Sequence, residues 1–296
     1  MLLALIKRNV KLFFKDKGMF FTSLITPVIL LVLYISFLGN IYRDSFMAVI
    51  PSHLSVSEKV LNGLVAGQLI SSIFAVSCVT VAFCSNFLMV QDRTNGSAKD
   101  LRISPVKASA LSLSYYLSSL ISTAIICYVA MGICLIYVAT VGWFFTAADL
   151  LLLALDVLLV VLFGTALSSI VNFFLTSQGQ ISAVGTVVSS GYGFICGAYM
   201  PISSFGEGLQ RVISFLPGTY GTSLIRNHSM RGAFAALEEE GIPAEMIAGI
   251  KDGIDCNLYF FEKQVDIPVM YAILAITVVI LIGVYILMNA MRKKSI

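Results

Sequence analysis

Residues 157–206 read VLLVVLFGTALSSIVNFFLTSQGQISAVGTVVSSGYGFICGAYMPISSFG, and none of these fifty residues is Asp, Glu, Lys or Arg. A helix needs about 20 mostly apolar residues to cross a bilayer core of about 30 Å. The stretch is long enough for two such helices, and its polar interval is 172–180 (NFFLTSQGQ). We therefore expect one spanning helix at about 150–173 and another at 181–200, joined by a polar turn.

The same pattern recurs along the whole chain. Hydrophobic residues make up 58% of the 296 residues and Asp, Glu, Lys and Arg only 12%, whereas a soluble domain carries about a quarter charged residues. The sequence predicts an all-α integral membrane protein, a single domain over 1–296 with six transmembrane helices. The spans are placed at about 19–39, 63–90, 109–140, 150–173, 181–200 and 268–290. We interpret 109–140 as one long helix, although two tightly connected spans remain an alternative.

The basic residues indicate the orientation of these spans. Residues 1–18, 91–108 and 292–294 carry twelve Lys and Arg, whereas the short segments on the opposite side carry two, Arg43 and Lys59. Because short cytoplasmic loops are enriched in Lys and Arg, both termini are expected in the cytoplasm. The protein is thus predicted to be a multi-pass protein of the plasma membrane.

The N-terminal stretch 1–18 is expected to be a cytoplasmic surface helix. Its apolar residues fall on one helical stripe and its basic residues on the opposite one, a pattern typical of a helix that lies along the membrane surface. The apolar run that follows has 25 residues, well beyond the roughly 7–15 of a secretory signal. It is therefore interpreted as a permanent span.

The segment 201–267 is the only sizeable polar region and is expected outside the cell. Pro201, Leu209 and Pro217 belong to its first part, where a short re-entrant hairpin fits better than a seventh span because too few apolar residues are available. Its second part, 233–261, contains Gly and Pro breakers. Two short external helices are predicted there.

Several chemistries are excluded or disfavoured. The chain has no GxxxxGK[ST] phosphate loop and not even one Gly-Lys pair, so it cannot bind ATP by that route. It also lacks HExxH, and its two histidines, His53 and His228, lie outside the predicted spans. An enzyme is therefore disfavoured, no cofactor is expected on this chain, and nucleic acid is not an expected partner.

Asp156 is the one ionisable residue inside a predicted span. Such a group is costly in lipid and is a default functional candidate. It could also simply reach the interface or pair with a neighbouring helix, and the other predicted spans offer it no ionisable partner. An ion-coupled secondary transporter would have to rely on Asp156, or on unwound backbone near Pro27.

Small residues recur every four positions in two predicted spans. Such faces let helices approach closely in lipid, so close packing, a translocation pathway and a dimer seam all remain open. The two sets are Gly63, Gly67 and Ser71 in the second span, and Gly185, Ser189, Gly193 and Gly197 in the fifth.

The predicted cytoplasmic stretch 91–106 reads QDRTNGSAKDLRISPV. Gly96 permits a turn, and 100–103 could form a short helix that stops before Pro105. A compact charged helix here could dock on a cytoplasmic partner.

Three segments together resemble the permease subunits of ABC type-2 exporters. They are the basic amphipathic start that runs into 20–27 (FFTSLITP), the loop 92–106, and 197–202 (GAYMPI) with its continuation through Leu216-Pro217 to Arg226. The resemblance runs nearly end to end. The family often has a Gly-Lys soon after the Ser-Pro-Val motif, where this chain has Leu113-Ser114, which leaves the details of coupling open.

The resemblance implies two six-helix subunits, this chain and a second permease copy or paralogue, assembled in the lipid bilayer with two cytoplasmic ABC ATPase subunits that bind ATP and Mg. It implies a prokaryotic exporter with spans two and five lining the path. A path lined by Gly, Ser, Thr and Phe suits an amphipathic or hydrophobic substrate, of the drug, antibiotic, lipid or glycan type, but also tolerates others. The residues that would face the ATPase are Asp92, Arg93, Gly96, Leu101, Ser104 and Pro105. A membrane enzyme or a scaffold without transport is a further alternative.

Overall fold

The computed structural model describes residues 1–50, 56–103 and 106–292, and almost all of them are helical. The helices are α1 (Leu2–Lys15), α2 (Lys17–Leu33), α3 (Gly39–Val49), α4 (Glu58–Thr94), α5 (Ser97–Ile103), α6 (Ala108–Val141), α7 (Ala147–Phe174), α8 (Gln178–Ile195), α9 (Glu207–Ser214), α10 (Pro217–Glu239), α11 (Ala244–Gly253) and α12 (Ile267–Arg292). Two short strands, β1 (Leu258–Phe260) and β2 (Lys263–Val265), form an antiparallel hairpin before α12.

Helix α4 is the centre of the bundle. It has 37 residues, a length of about 55 Å at 1.5 Å per residue, and its most apolar window is buried throughout. Helices α2, α6, α7, α8 and α10 pack around it. Its buried residues include polar ones such as Gln68, Ser72 and Asn86, which would be costly in lipid, and this explains its central place.

Five helical stretches are long and apolar enough to cross a membrane, among the residues that the structure describes. The first runs from Lys17 to Val49, ten residues beyond its predicted end, because α2 continues through a π-helical turn at Tyr34–Leu38 into α3. The third is a single helix, α6. Helix α8 has 18 residues, many of them Gly, Ser or Gln, and is not apolar enough to be one of these five stretches. The fifth predicted span, at 181–200, therefore stays a prediction.

The bundle has two distinct ends. At one end, which we call the α5 end, α1 packs on α6, and Asn289 near the end of α12 accepts a hydrogen bond from Ser112. At the other, the hairpin end, α11 contacts α10 and α3, and the β-hairpin leads into the start of α12. Helix α1 and the end of α12 therefore lie at the α5 end.

Helix α10 corrects the prediction for the second part of 201–267. Instead of two short helices, the structure has α10 continuing to Glu239, then α11, then the β-hairpin. Gly221 lies within α10, where that helix meets α7. A Cβ there would come 2.7 Å from Val160 Cγ2. Pro217 begins the helix, a position where the missing N–H costs nothing.

The geometry of α9 and α10 supports a segment that turns back into the bundle. Gly221 also lies near Leu274, which is seven residues, or about 10 Å of helix, inside α12. The start of α10 is therefore deeper than the start of α12. Pro201 precedes a 3-10 turn at Ile202–Ser204, and Leu209 is half exposed on α9. Insertion of this segment into a membrane stays a prediction.

Candidate functional site

A groove of about 730 Å³ opens between α2, α4 and α8. Two residues of the predicted fifth-span face, Gly185 and Ser189, line it. So do residues from the other two helices, which makes the groove a feature of three elements rather than of one face. The lining residues are Asp16, Gly18, Met19, Thr22, Cys84, Phe87, Gln91, Ile181, Ser182, Gly185, Thr186, Ser189 and Ser190.

The wall that α8 contributes is rich in hydroxyl groups. Thr186 donates to the carbonyl of Ser182 at 2.9 Å, and Ser190 donates to the carbonyl of Thr186 at 2.7 Å. Because these protons are used within the helix, the hydroxyl oxygens are left to accept hydrogen bonds. The opposite wall carries Met19 and Phe87. The groove thus combines apolar surface with hydroxyl groups that can accept hydrogen bonds.

The end of α8 departs from the predicted face. The helix stops at Ile195, and Gly197 follows with φ +72°. Ala198 N–H donates to Gly193 O and Gly197 N–H to Phe194 O, the pair of bonds that closes a helix at a left-handed glycine. Gly193 lies under the ring of Tyr199. A continuous face through Gly197 is therefore wrong, because Gly197 ends the helix instead of extending it.

The second small-residue set, Gly63, Gly67 and Ser71, is covered inside the chain. A Cβ on Gly67 would come 2.7 Å from the carbonyl oxygen of Ser229 on α10, and Ser71 Oγ lies 3.2 Å from Arg226 Nε. These three residues provide close packing between α4 and α10. Their role in a pathway or a dimer seam stays a prediction.

Helix α5 is the short helix expected in the loop 91–106. Gly96, with φ +83°, makes the turn out of α4. Ala98 is buried and Leu101 packs against the cluster of Leu5, Met89, Leu111 and Tyr115, whereas Ile103 at the end of the helix is 86% exposed. Ser104 and Pro105 lie outside the described residues. Helix α5 therefore presents a fixed, partly apolar tip at this end of the bundle.

Asp92 and Arg93 hold the base of this helix rather than project from it. Asp92 is buried and accepts from Arg8 Nη1 at 2.8 Å and from Tyr115 OH at 2.6 Å. The hydrogen bond with Asp92 raises the pKa of Arg8 above its ordinary value. Sequence reasoning missed this contact, because Arg8 falls on the polar stripe of α1 and its partner lies 84 residues away.

Arg93 faces the other way, towards the turn between α7 and α8. Its Nη1 donates to the carbonyls of Phe173 at 2.8 Å and Asn172 at 3.2 Å, and its guanidinium lies over the Phe173 ring. These carbonyls belong to the last turn of α7, where a cation is favourable. The two neighbouring residues thus join α4 to α1 and α6 on one side and to α7 on the other.

A family model described as ABC-2 type transporter matches residues 1–228. The chain belongs to this family. A search of the curated proteins finds no protein that matches this chain. The matched range contains the groove, α5 and the start of α10, and the residues after it form the rest of α10, α11, the hairpin and α12. The chain is thus a membrane-embedded ABC transporter permease.

In this ABC-2 permease, Asp156 has partners that the sequence prediction did not find. The alternative that Asp156 pairs with a neighbouring helix is confirmed, and its partner His228 lies on α10, which was not a predicted span. His228 Nδ1 is 2.6 Å from Asp156 Oδ2, and Tyr271 on α12 donates to Asp156 Oδ1. Asp156 and His228 are both buried. The carboxylate therefore links α7, α10 and α12.

A second buried polar centre of the permease is Arg226, which is 1% exposed. Its guanidinium donates to Gly197 O at 2.9 Å and to the carbonyl of Ile254, and its Nη1 lies 3.6 Å from Asp255 Oδ2. Arg226 thus joins α10 to the end of α8 and to the loop after α11. A buried arginine needs several acceptors of this kind to offset its desolvation.

Proposed function

We propose that this chain is the permease of an ATP-driven exporter and works with a separate cytoplasmic ABC ATPase subunit and a second permease copy or paralogue. The observation that carries the proposal is helix α5. It leaves α4 at a glycine turn, is packed on one side, and ends in an isoleucine that is 86% exposed. An exposed apolar tip beside Lys99 and Asp100 fits a groove on a partner protein.

The contacts of Asp92 and Arg93 at the base of α5 support a role for this helix in transmitting movement. Asp92 connects α4 to α1, and Arg93 connects α4 to the last turn of α7. A push on α5 would therefore move several helices together instead of bending a loose loop. In this proposal ATP and Mg²⁺ bind on the partner, since this chain has no Gly-Lys pair.

The groove between α2, α4 and α8 is the proposed substrate path. Its hydroxyl-rich α8 wall and its apolar wall of Met19 and Phe87 suit an amphipathic or hydrophobic substrate, of the drug, antibiotic, lipid or glycan type. In the proposed orientation the α5 end faces the cytoplasm of a prokaryotic cell and the hairpin end faces outward, as the distribution of basic residues indicates.

The test begins with the variant Ile103→Asp. A tagged permease is co-expressed with candidate ABC ATPases, and the ATPase that co-purifies is quantified by mass spectrometry. We expect the wild-type chain to retain an ATPase and Ile103→Asp to lose most of it, because a carboxylate replaces the apolar tip. The matched control, Ala248→Asp, places the same charge on an exposed residue of α11 at the opposite end. Equal ATPase recovery with both variants would contradict the assignment of α5.

The ion-coupled alternative rests on Asp156 and can be separated from the proposed function by its energy source. For an ATP-driven exporter, transport by the reconstituted complex should persist when a protonophore collapses the proton gradient and should stop when ATP is withdrawn. The reverse result would favour a secondary transporter in which the proton is carried at Asp156 and His228.

A further inference from the structure

Three phenylalanines form an exposed aromatic cluster at the hairpin end. Phe215 follows α9, and Phe260 and Phe261 lie at the tip of the β-hairpin. The ring centroids of Phe215 and Phe260 are 5.1 Å apart, and those of Phe260 and Phe261 are 5.0 Å apart. The three side chains are 62%, 37% and 59% exposed, in chain order. Rings that pack on one another yet remain open to the surroundings leave a large apolar area without a protein partner.

The backbone conformation of Phe261 is a second, independent observation that indicates a functional role for this ring. Phe261 has φ +55°, a left-handed conformation that is unfavourable for a bulky residue. It is the first residue of the two-residue turn between Phe260 and Lys263, where Gly or Asn would be expected. A position where turn chemistry and residue type disagree indicates that the side chain contributes something that glycine cannot.

The depth of the cluster indicates what surrounds it. Phe215 is two residues before α10, whose Gly221 packs against Leu274, about 10 Å inside α12. Phe260 and Phe261 lie against Phe215, with ring centroids 5.1 Å and 6.2 Å from it. The cluster is therefore near the level of the first turns of α12, whose exposed residues include Ile267 and Val269.

We propose that Phe215, Phe260 and Phe261 form an anchor that inserts into the leaflet at the hairpin end of the membrane. The surface of α12 that starts at Ile267 meets lipid, and the anchor lies near the level of this surface, six residues before it in the chain. Lys263, exposed beside the rings, is placed to reach the lipid headgroups. The anchor fixes the turn before α10, and with it the depth of the segment that re-enters the bundle.

The test uses tryptophan fluorescence in reconstituted proteoliposomes. Trp143 is the only tryptophan, so Trp143→Phe gives a silent background in which Phe261→Trp reports on the anchor. Phosphatidylcholine with bromine on its acyl chains quenches a tryptophan in lipid, and acrylamide quenches one in water. We expect strong bromolipid quenching and weak acrylamide quenching for Phe261→Trp.

The matched control is Glu245→Trp on α11, an exposed polar position at the same end, for which the opposite pattern is expected. Phe260→Trp serves as a second reporter, and circular dichroism and gel filtration verify that each variant folds. Strong acrylamide quenching of Phe261→Trp without bromolipid quenching would place the ring in water and overturn the proposal. Protection from both quenchers would overturn it as well, since a protein surface, such as a second copy, would then cover the ring.

Discussion

His228 Nδ1 lies 2.6 Å from Asp156 Oδ2, and this contact joins α10 to α7 where both side chains are buried. Replacement of His228 by Ala leaves the carboxylate with Tyr271 as its remaining hydrogen-bond donor among the described residues. We expect His228→Ala to lower the free energy of unfolding by about 1–3 kcal/mol, because a buried polar group loses a partner. Unfolding by sodium dodecyl sulfate in mixed micelles measures this loss.

A double-mutant cycle separates the pair from the general cost of truncation. Asp156→Asn, His228→Ala and the double variant are compared with the wild type, and a coupling energy of 0.5 kcal/mol or more, about the lower limit for residues in contact, is expected. Additive effects of the two single changes would show that the residues do not interact. In that case the contact could not hold α7 and α10 together.

The ion pair of Arg8 with Asp92 predicts how firmly α1 is held. Asp92→Ala removes the acceptor of both Arg8 and Tyr115, and we expect faster amide hydrogen exchange throughout α1, by roughly tenfold, a factor that corresponds to about 1.4 kcal/mol. Mass spectrometry of peptides from residues 2–15 measures the exchange. Asp100→Ala, on the exposed side of α5, is the control and should leave α1 unchanged.

Close packing between α4 and α10 predicts a contrast between two glycines. Gly67→Ala would place a Cβ 2.7 Å from the Ser229 carbonyl, whereas Gly132→Ala meets nothing within 4 Å. We expect Gly67→Ala to lower the free energy of unfolding by about 1–3 kcal/mol through overpacking. Gly132→Ala should stabilise α6 by up to about 1 kcal/mol. If Gly67→Ala proved neutral while it altered transport, Gly67 would lie on an open path rather than in a packed seam.

The long apolar helices could be predicted from the sequence because the signal that makes them is local. A run without charged residues is visible in a window of about 20 residues, and the interior of α4, α6 or α12 is such a run, while α7 has Asp156 as its one interruption. The ends of these helices cannot be predicted as closely. Helix α2 continues through a π-helical turn at Tyr34–Leu38, and no residue type in that stretch marks where apolar surroundings give way to polar ones.

Helix α10 could not be predicted as part of the bundle, because many of its buried residues are polar. Ser223, Arg226, His228 and Ser229 are all buried, and each has a partner distant in sequence: Cys256 O, Ile254 O, Asp156 and Gly67 O. Hydropathy scores such residues as exposed, since it contains no information about partners. For the same reason, hydropathy could not predict Arg8 as the partner of Asp92.

Asp255, the acidic neighbour of Arg226, predicts how stability varies with pH. Burial raises the pKa of Asp255 to about 6, although Arg226 and the N–H of Ile202 oppose this shift. Its unfolded pKa is about 3.9, so between about pH 4 and 6 the folded state keeps a proton that the unfolded state releases. The free energy of unfolding should therefore fall as pH rises through this window, by up to about 3 kcal/mol.

Asp255→Asn isolates this contribution, because an amide does not titrate. The variant should lose less stability than the wild type between pH 4 and 6, while carboxylates elsewhere affect both proteins alike. Arg226 would still have the carbonyls of Gly197 and Ile254, so the variant is expected to fold. Denaturant unfolding at several pH values gives the two curves. Parallel curves would mean that Asp255 ionises normally, and that Arg226 and the N–H of Ile202 offset the cost of its burial in full.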